Sequence, residues 1–325
     1  MTDIMKDQFD RTIDYMRISI TDRCNLRCRY CMPEGCEKVP MDRILTYEEI
    51  KRICRIAVRL GIRKIRITGG EPLVRLGCAD LIKNLKETDG IETVTITTNG
   101  QALATNMKNL KDAGVDGINI SLDTLDASRY TYITGGGDLN KTLQAIDLSV
   151  SSGIPTKVNS LLQRDFNEDE ILRLAGFGFE KGIFMRFIEL MPIGIADPAR
   201  GISNEHVLEM LLQKWPDLTR DEHPYGNGPA VYYRRPGIAG GIGLISAIHN
   251  RFCSGCNRIR LTSFGQIKPC LCYDDGIDLK PILNGSDEEL ETALREAILR
   301  KPSGHCFTKE RFGSKEHRLM SRIGG

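Results

Sequence analysis

Residues 16–31, "MRISITDRCNLRCRYC", join a β-branched run directly to three cysteines, Cys24, Cys28 and Cys31. The run "MRISI" alternates with period two and predicts a strand. A loop leaving the first strand of a parallel α/β architecture lies at the carboxyl ends, where such folds build their active sites. Three thiolates can hold a metal centre yet leave one coordination position open. A structural zinc site wants four ligands, and Cys36 follows too closely to complete the pattern. An iron–sulfur cube held by three thiolates keeps one iron free for an exogenous ligand.

Working outward, the strand-then-helix unit repeats. Strands are expected at "KIRIT" (64–68), "TVTITT" (93–98), "GINISL" (117–122), "TKVNSLL" (156–162) and "MRFIEL" (185–190), after the first at 16–20. Helical periodicity fills the intervals, as in "TYEEIKRICRIAVRLG" (46–61), where Thr46 and Glu49 form a capping-box signature and Gly61 fits a helix end. Six such units argue a parallel sheet and an α/β fold: a partial (β/α)6 TIM-like barrel, with a doubly wound open sheet as the alternative. After residue 190 the rhythm breaks. A loop, "MPIGIADPARG", precedes a capped helix, "SNEHVLEMLLQKW", and a Gly-rich stretch, "GIAGGIGLIS", leads to a second cysteine group. A last helix is expected over 286–301. The expected organisation is therefore a barrel over 1–190 and a C-terminal extension over 191–325 that covers the barrel opening.

The 325 residues are 41% hydrophobic and 27% charged, as in an ordinary globular chain with a substantial core. A net charge of +2 predicts no global affinity for nucleic acid or acidic membranes, so anion binding must be local. The N-terminus carries acidic residues and no unbroken apolar run, unlike a signal peptide or membrane span, and a cytoplasmic enzyme is expected. Eleven cysteines cannot all pair, and a reducing compartment would not keep disulfides. Cys54, Cys78 and Cys306 read as packing or incidental residues.

The second group, "FCSGCNRIRLTSFGQIKPCLC" (252–272), places Cys253, Cys256 and Cys270, with Cys272 two residues further on. Spacing alone reads equally well as a zinc ribbon. Arg17, Arg66, Lys157 and Arg186 each sit mid-strand among apolar or β-branched neighbours. Burying an unpaired charge costs several kcal/mol, roughly, so such cations need water or a buried partner. On separate strands of one barrel they can converge on its interior, where a triphosphate would supply the counter-charge. Arg258 and Arg260 add cations beside the second group. "TGGEP" (68–72) ends the second strand and suits a tight strand-to-helix turn.

The Cx3CxxC triad with Tyr30 before its last cysteine resembles the signature of the radical S-adenosylmethionine (radical SAM) enzymes. That resemblance implies a 4Fe–4S cluster whose open iron chelates the methionine moiety, and one-electron cleavage to a 5′-deoxyadenosyl radical. It also implies that Gly70 and Glu71 meet the methionine end, Ser121 and Asp123 the ribose, and Met191 the adenine. The whole set, including "RISITDRCNLRCRYCMP", "IRITGGEPL", "TTNG", "NISLD", "VNSLL", "RFIELMP" and "FCSGCNRIRLT", resembles the GTP 3′,8-cyclase family, which opens molybdenum cofactor (molybdopterin) biosynthesis. The resemblance implies a lyase that converts GTP to (8S)-3′,8-cyclo-7,8-dihydroguanosine 5′-triphosphate. It implies a second 4Fe–4S cluster on Cys253, Cys256 and Cys270, the last chosen over Cys272 for its "KPC" context. GTP contacts then fall to Arg17, Arg66, Thr97, Lys157, Arg258 and Arg260, and no catalytic residue is assigned beyond the cluster ligands. An electron donor, hand-over to cyclic pyranopterin monophosphate synthase, a homodimer and a terminal Gly-Gly reaching into the site are implied in the same way. Two other functions fit parts of the pattern: a radical SAM peptide-modifying enzyme with an auxiliary cluster, and a zinc-ribbon nucleic-acid-binding protein. More C-terminal cysteines would be expected of the first, and a basic run of the second.

Overall fold

The structure is a computed structural model that describes residues 5–32, 38–249, 252–307, 316 and 318–323. Cys36 and the terminal Gly-Gly therefore lie outside the described residues. All six expected strands form, within a residue or two of their expected ends: β1 (Tyr15–Ser19), β2 (Lys64–Thr68), β3 (Thr93–Thr98), β4 (Gly117–Ser121), β5 (Thr156–Leu161) and β6 (Phe184–Ile188). Between them run α1 (Tyr47–Arg59), α2 (Cys78–Lys86), α3 (Leu103–Asp112), α4 (Ala127–Thr134), α5 (Leu139–Ser151) and α6 (Ile171–Glu180). The capping box on α1 is present: the Glu49 N–H donates to Thr46 Oγ1 at 3.1 Å, and the Thr46 N–H donates to Glu49 Oε2 at 2.7 Å.

Past residue 190 come α7 (Asn204–Lys214), β7 (Thr219–Asp221), β8 (Val231–Arg234), β9 (Gly241–Ile245), β10 (Arg258–Leu261), β11 (Gln266–Lys268), β12 (Ile277–Asp278), α8 (Asp287–Leu299) and the short α9 (Met320–Ile323). The strand order is β12-β11-β10-β1-β2-β3-β4-β5-β6-β9-β8-β7. This corrects the reading of "GIAGGIGLIS" as a stretch leading to the second cysteine group, and adds to that of the segment holding Arg258 and Arg260, read only as cations beside it. Both contain strands, and β10 and β9 extend the parallel run beyond β1 and β6 respectively. Antiparallel strands then finish each end of the partial barrel. β9 hides in the sequence because Gly241 and Gly243 leave two of its inward positions without side chains. A Cβ on Gly243 would come within 2.8 Å of Arg186 Cγ, so the missing side chain is the room Arg186 occupies.

Alternation along the strands sorts the two faces of the sheet. Met16, Ile18, Ile65, Ile67, Val94 and Ile96 are at most 1% exposed and pack in the core shared with the helices. The other parity carries Arg17, Arg66, Thr97, Asn159 and Arg186, which line a cavity inside the barrel. A smaller apolar cluster of Ile193, Leu271, Cys272, Phe307 and Ile323, with Met191 packed against it, brings the loop after β6 and the C-terminal segments together. Leu271, Phe307 and Met191 also line the cavity, so this cluster forms part of its wall. The family of α/β folds expected from the strand–helix repeat is the fold observed.

Candidate active site

One cavity of about 350 Å³ is lined by all six cysteines of the two triads. The first triad sits on the loop after β1, and neighbouring backbone pins that loop from two sides. The Gly70 and Glu71 N–H groups donate to Thr21 O at 2.7 Å and Arg23 O at 2.8 Å. A Cβ on Gly70 would lie 2.3 Å from Arg23 O, so the glycine of "TGGEP" is required by close approach of the cysteine loop. On the other side, the Arg27 and Arg29 N–H groups donate to Thr134 O and Ile133 O.

Two buried carboxylates stand beside this triad. Glu71 is 1% exposed and accepts from Thr98 Oγ1 at 2.7 Å, the Asn99 N–H at 2.7 Å and the Leu73 N–H at 3.1 Å. Burial raises its pKa to about 7 despite those bonds. Asp123 accepts from Tyr30 Oη at 2.7 Å and the Leu161 N–H at 2.8 Å, and burial brings its pKa to about 6. Both oxygens of Asp123 are thus engaged within the protein, and Ser121 presents the hydroxyl that lines the cavity. Burial pushes the Cys24 and Cys28 thiols up. The Cys31 thiol and Asp123 add to the rise at Cys28, and Glu71 to that at Cys24.

The second triad has the opposite surroundings. Cys256 is held down to about 6: burial raises it, but the Arg258 and Lys301 cations outweigh that. Cys272, the rival ligand, is joined to Cys306 in a disulfide. This corrects the reading of Cys306 as incidental and the expectation that no disulfide is kept. The segment after α8 returns across the end of the Cys270–Cys272 segment and brings the two sulfurs together. Cys270 remains a free thiol facing the cavity.

Between the triads lies a field of cations. Strand register sets Arg260, Arg17 and Arg66 in one row across β10, β1 and β2. Like charges on directly opposed positions destabilise a sheet. Arg17 is accordingly held well below its ordinary pKa by burial and then by Arg260, Arg66 and Arg258. Arg186 donates to Asn159 Oδ1 at 2.8 Å and to Asn119 Oδ1, and Arg66 donates to Thr95 Oγ1 at 3.2 Å. These acceptors are neutral. Burial, Arg186 and Arg66 lower Lys157 to about 8. Lys157 does not line the cavity with the others; its Nζ lies 3.0 Å from where a Cβ on Gly226 would stand. Tyr15 Oη and Thr97 Oγ1 are buried in the cavity wall with no hydrogen-bond partner among the described residues. Tyr15, Asn159 and Lys301 line the site without having been singled out in the sequence. A polar residue at an inward strand position was the available signal for the first two.

The donor set fits a cluster better than a single ion. A cube spreads its thiolates over different iron atoms and suits such open triads. With Cys272 in a disulfide, the four thiolates of a zinc ribbon are not assembled.

Residues 18–178 match the Radical SAM superfamily, and residues 183–307 match Molybdenum Cofactor Synthesis C. The GTP 3′,8-cyclase of Pelotomaculum thermopropionicum is 43% identical, over 99% of this chain and 100% of its own length. That of Alkaliphilus metalliredigens is 45% identical over the same shares. Among solved structures, Streptococcus suis SuiB bound to S-adenosylmethionine is similar with a TM-score of 0.63 over 95% of this chain and 77% of SuiB. At 16% identity that likeness shows the fold. The chain belongs to the GTP 3′,8-cyclase family of radical SAM enzymes.

Proposed function

We infer that the protein converts GTP to (8S)-3′,8-cyclo-7,8-dihydroguanosine 5′-triphosphate, the opening reaction of molybdenum cofactor biosynthesis. The observation that carries this reading is the row of arginines between two thiol triads in one cavity. Cys24, Cys28 and Cys31 would hold a 4Fe–4S cluster, and Cys253, Cys256 and Cys270 a second. When bound, the first cluster and S-adenosylmethionine supply the one-electron cleavage that delivers a 5′-deoxyadenosyl radical. The chain's own work is binding, orientation and exclusion of water. Glu71 and Ser121 face the methionine and ribose ends of S-adenosylmethionine, and Met191 its adenine. Arg17, Arg66, Arg258 and Arg260 neutralise the GTP phosphates, with Lys157 supporting from deeper in the barrel. Thr97 Oγ1 and Tyr15 Oη offer hydrogen bonds to the bound nucleotides. The division of labour falls near residue 190, the barrel handling S-adenosylmethionine and the extension the purine.

Among the described residues no helix is long and apolar enough to cross a membrane. We place the enzyme in the cytoplasm, drawing on an external electron donor and handing its product to cyclic pyranopterin monophosphate synthase, and working as a homodimer. The test is anaerobic incubation of the reduced protein with S-adenosylmethionine and either GTP or ATP. Deoxyadenosine should form with GTP, together with the cyclised nucleotide. Equal formation with ATP or with neither nucleotide counts against the assignment. Anaerobic protein should be brown, with about eight iron and eight sulfide per chain. Colourless protein carrying zinc would sink the reading.

A further inference from the structure

Lys301 and Arg11 lie outside the barrel strands, far apart in the chain, and neither is used by the reaction as described above. Lys301 follows α8 and is 2% exposed. Its ammonium donates to Arg258 O at 2.7 Å and to Pro269 O at 2.8 Å. Those carbonyls flank the second triad: Arg258 is two residues past Cys256, and Pro269 immediately precedes Cys270. Arg11 is 7% exposed and donates to Cys253 O at 2.8 Å. The same guanidinium donates to Pro302 O at 2.6 Å and Ser303 O at 3.2 Å, next to Lys301. Asp7 fixes Arg11 from behind, its Oδ2 lying 2.6 Å from Arg11 Nη2 and 2.7 Å from Nε. Gln8 adds a bond from its side-chain amide to Lys301 O at 3.2 Å.

Two buried cations thus reach all three thiol-bearing segments through backbone carbonyls. A buried ammonium bonded to neutral carbonyls is a costly way to join two loops, and an apolar side chain would serve better unless a negative charge stands near. Both bonds of the Lys301 ammonium go to carbonyls, and Cys256 and Cys270 are close enough to act on it electrostatically. Arg11 already has Asp7, so it adds geometry rather than charge.

We propose that Lys301 and the Asp7–Arg11 pair are positioning residues for the second cysteine triad, holding its three segments at the separation a cluster needs. This rests on the reading that Cys253, Cys256 and Cys270 carry a cluster. The test uses full-length, anaerobically reconstituted protein, with iron content and electron paramagnetic resonance as readouts. In Lys301→Met, iron should fall from about eight to about four per chain. The signal of the first cluster, and its change on adding S-adenosylmethionine, should stay. The spectral change induced by GTP should disappear.

A variant that keeps about eight iron and the GTP response overturns the proposal. If wild-type protein itself holds only about four iron, and Cys256→Ala loses none, the cluster reading has failed and the bracket goes with it. Should Lys301→Met lose both clusters through misfolding, Arg11→Gln carries the same expectation. Loss of both clusters there too would show a general structural role and overturn the proposal.

Discussion

Cys24, Cys28 and Cys31 share their surroundings with two buried carboxylates, Glu71 and Asp123. Cys253, Cys256 and Cys270 share theirs with Arg258, Arg260 and Lys301. Burial and neighbouring acids raise the Cys24 and Cys28 thiols, while cations overcome burial to lower Cys256. Each triad brings three thiols to the same cavity, so the difference lies in the field. Carboxylates favour a cationic guest such as the ammonium of an amino acid. Arginines favour a polyanion, whose binding relieves their mutual repulsion. With three thiols in each triad, it is the charges around them that tell the two apart.

The largest expected effect separates the triads outright. Cys28→Ala should lower 5′-deoxyadenosine formation by roughly 10³-fold or more, as when one member of a catalytic unit is lost. Cys256→Ala should still cleave S-adenosylmethionine yet yield no cyclised nucleotide. Chromatography of both products from each variant checks this, and identical phenotypes would erase the contrast between the sites. Next, Arg17→Ala and Arg186→Met should each weaken GTP binding by roughly tenfold to a hundredfold, the scale of a charged hydrogen bond. The visible absorbance of both clusters should stay unchanged. Titration calorimetry under anaerobic conditions reads the affinity.

A smaller effect sharpens the cationic side. Lys157 has a folded pKa of about 8, below its ordinary 10.5. A bound polyanion would raise that value, so binding takes up a proton above pH 8 and GTP affinity should fall as pH rises through 8, by at most about tenfold per unit. Fold stability should move the other way. The unfolded chain binds more protons between about 8 and 10.5, so that part of stability rises over the same window. Lys157→Gln should flatten both curves, and a pH series of affinity and thermal melting reads them together. The smallest effect belongs to the acidic side. Tyr30→Phe removes the donor to Asp123 Oδ2 and should cost about 1–3 kcal/mol of stability, read by denaturant unfolding of the metal-free protein. Catalysis should change only a few-fold.

Much of this arrangement was legible locally. The six barrel strands announce themselves by β-branched alternation, α1 by a capping box that the structure contains, and α8 by Ser286 and helical spacing, the structure adding a capping box there too. The first triad was readable from spacing and the inward cations from their apolar neighbours, whereas the second triad read equally as a zinc ribbon and took Cys270 over Cys272 only by resemblance. β9 was not, because Gly241 and Gly243 remove the side chains on which alternation depends. β10 was read only as a pair of cations beside cysteines, since "RIRL" is too short to show a period. The Cys272–Cys306 bond spans 34 residues, and the contact from Arg11 to Cys253 spans 242. No local pattern encodes such meetings. They follow from where the last segments settle on a barrel that the first residues begin.

That closing geometry has a consequence for how the enzyme is made. β1 pairs with β2 on one side and with β10 on the other, about 240 residues later in the chain. At roughly 5–20 residues per second, a ribosome needs about 12–50 s to deliver the missing neighbour. During that interval the first triad can exist while the arginine row and the second triad cannot. The nascent protein passes through a stage in which a reactive cofactor site has emerged before the chamber that shields its radical. Metal delivery that waits for release of the finished chain would avoid that stage.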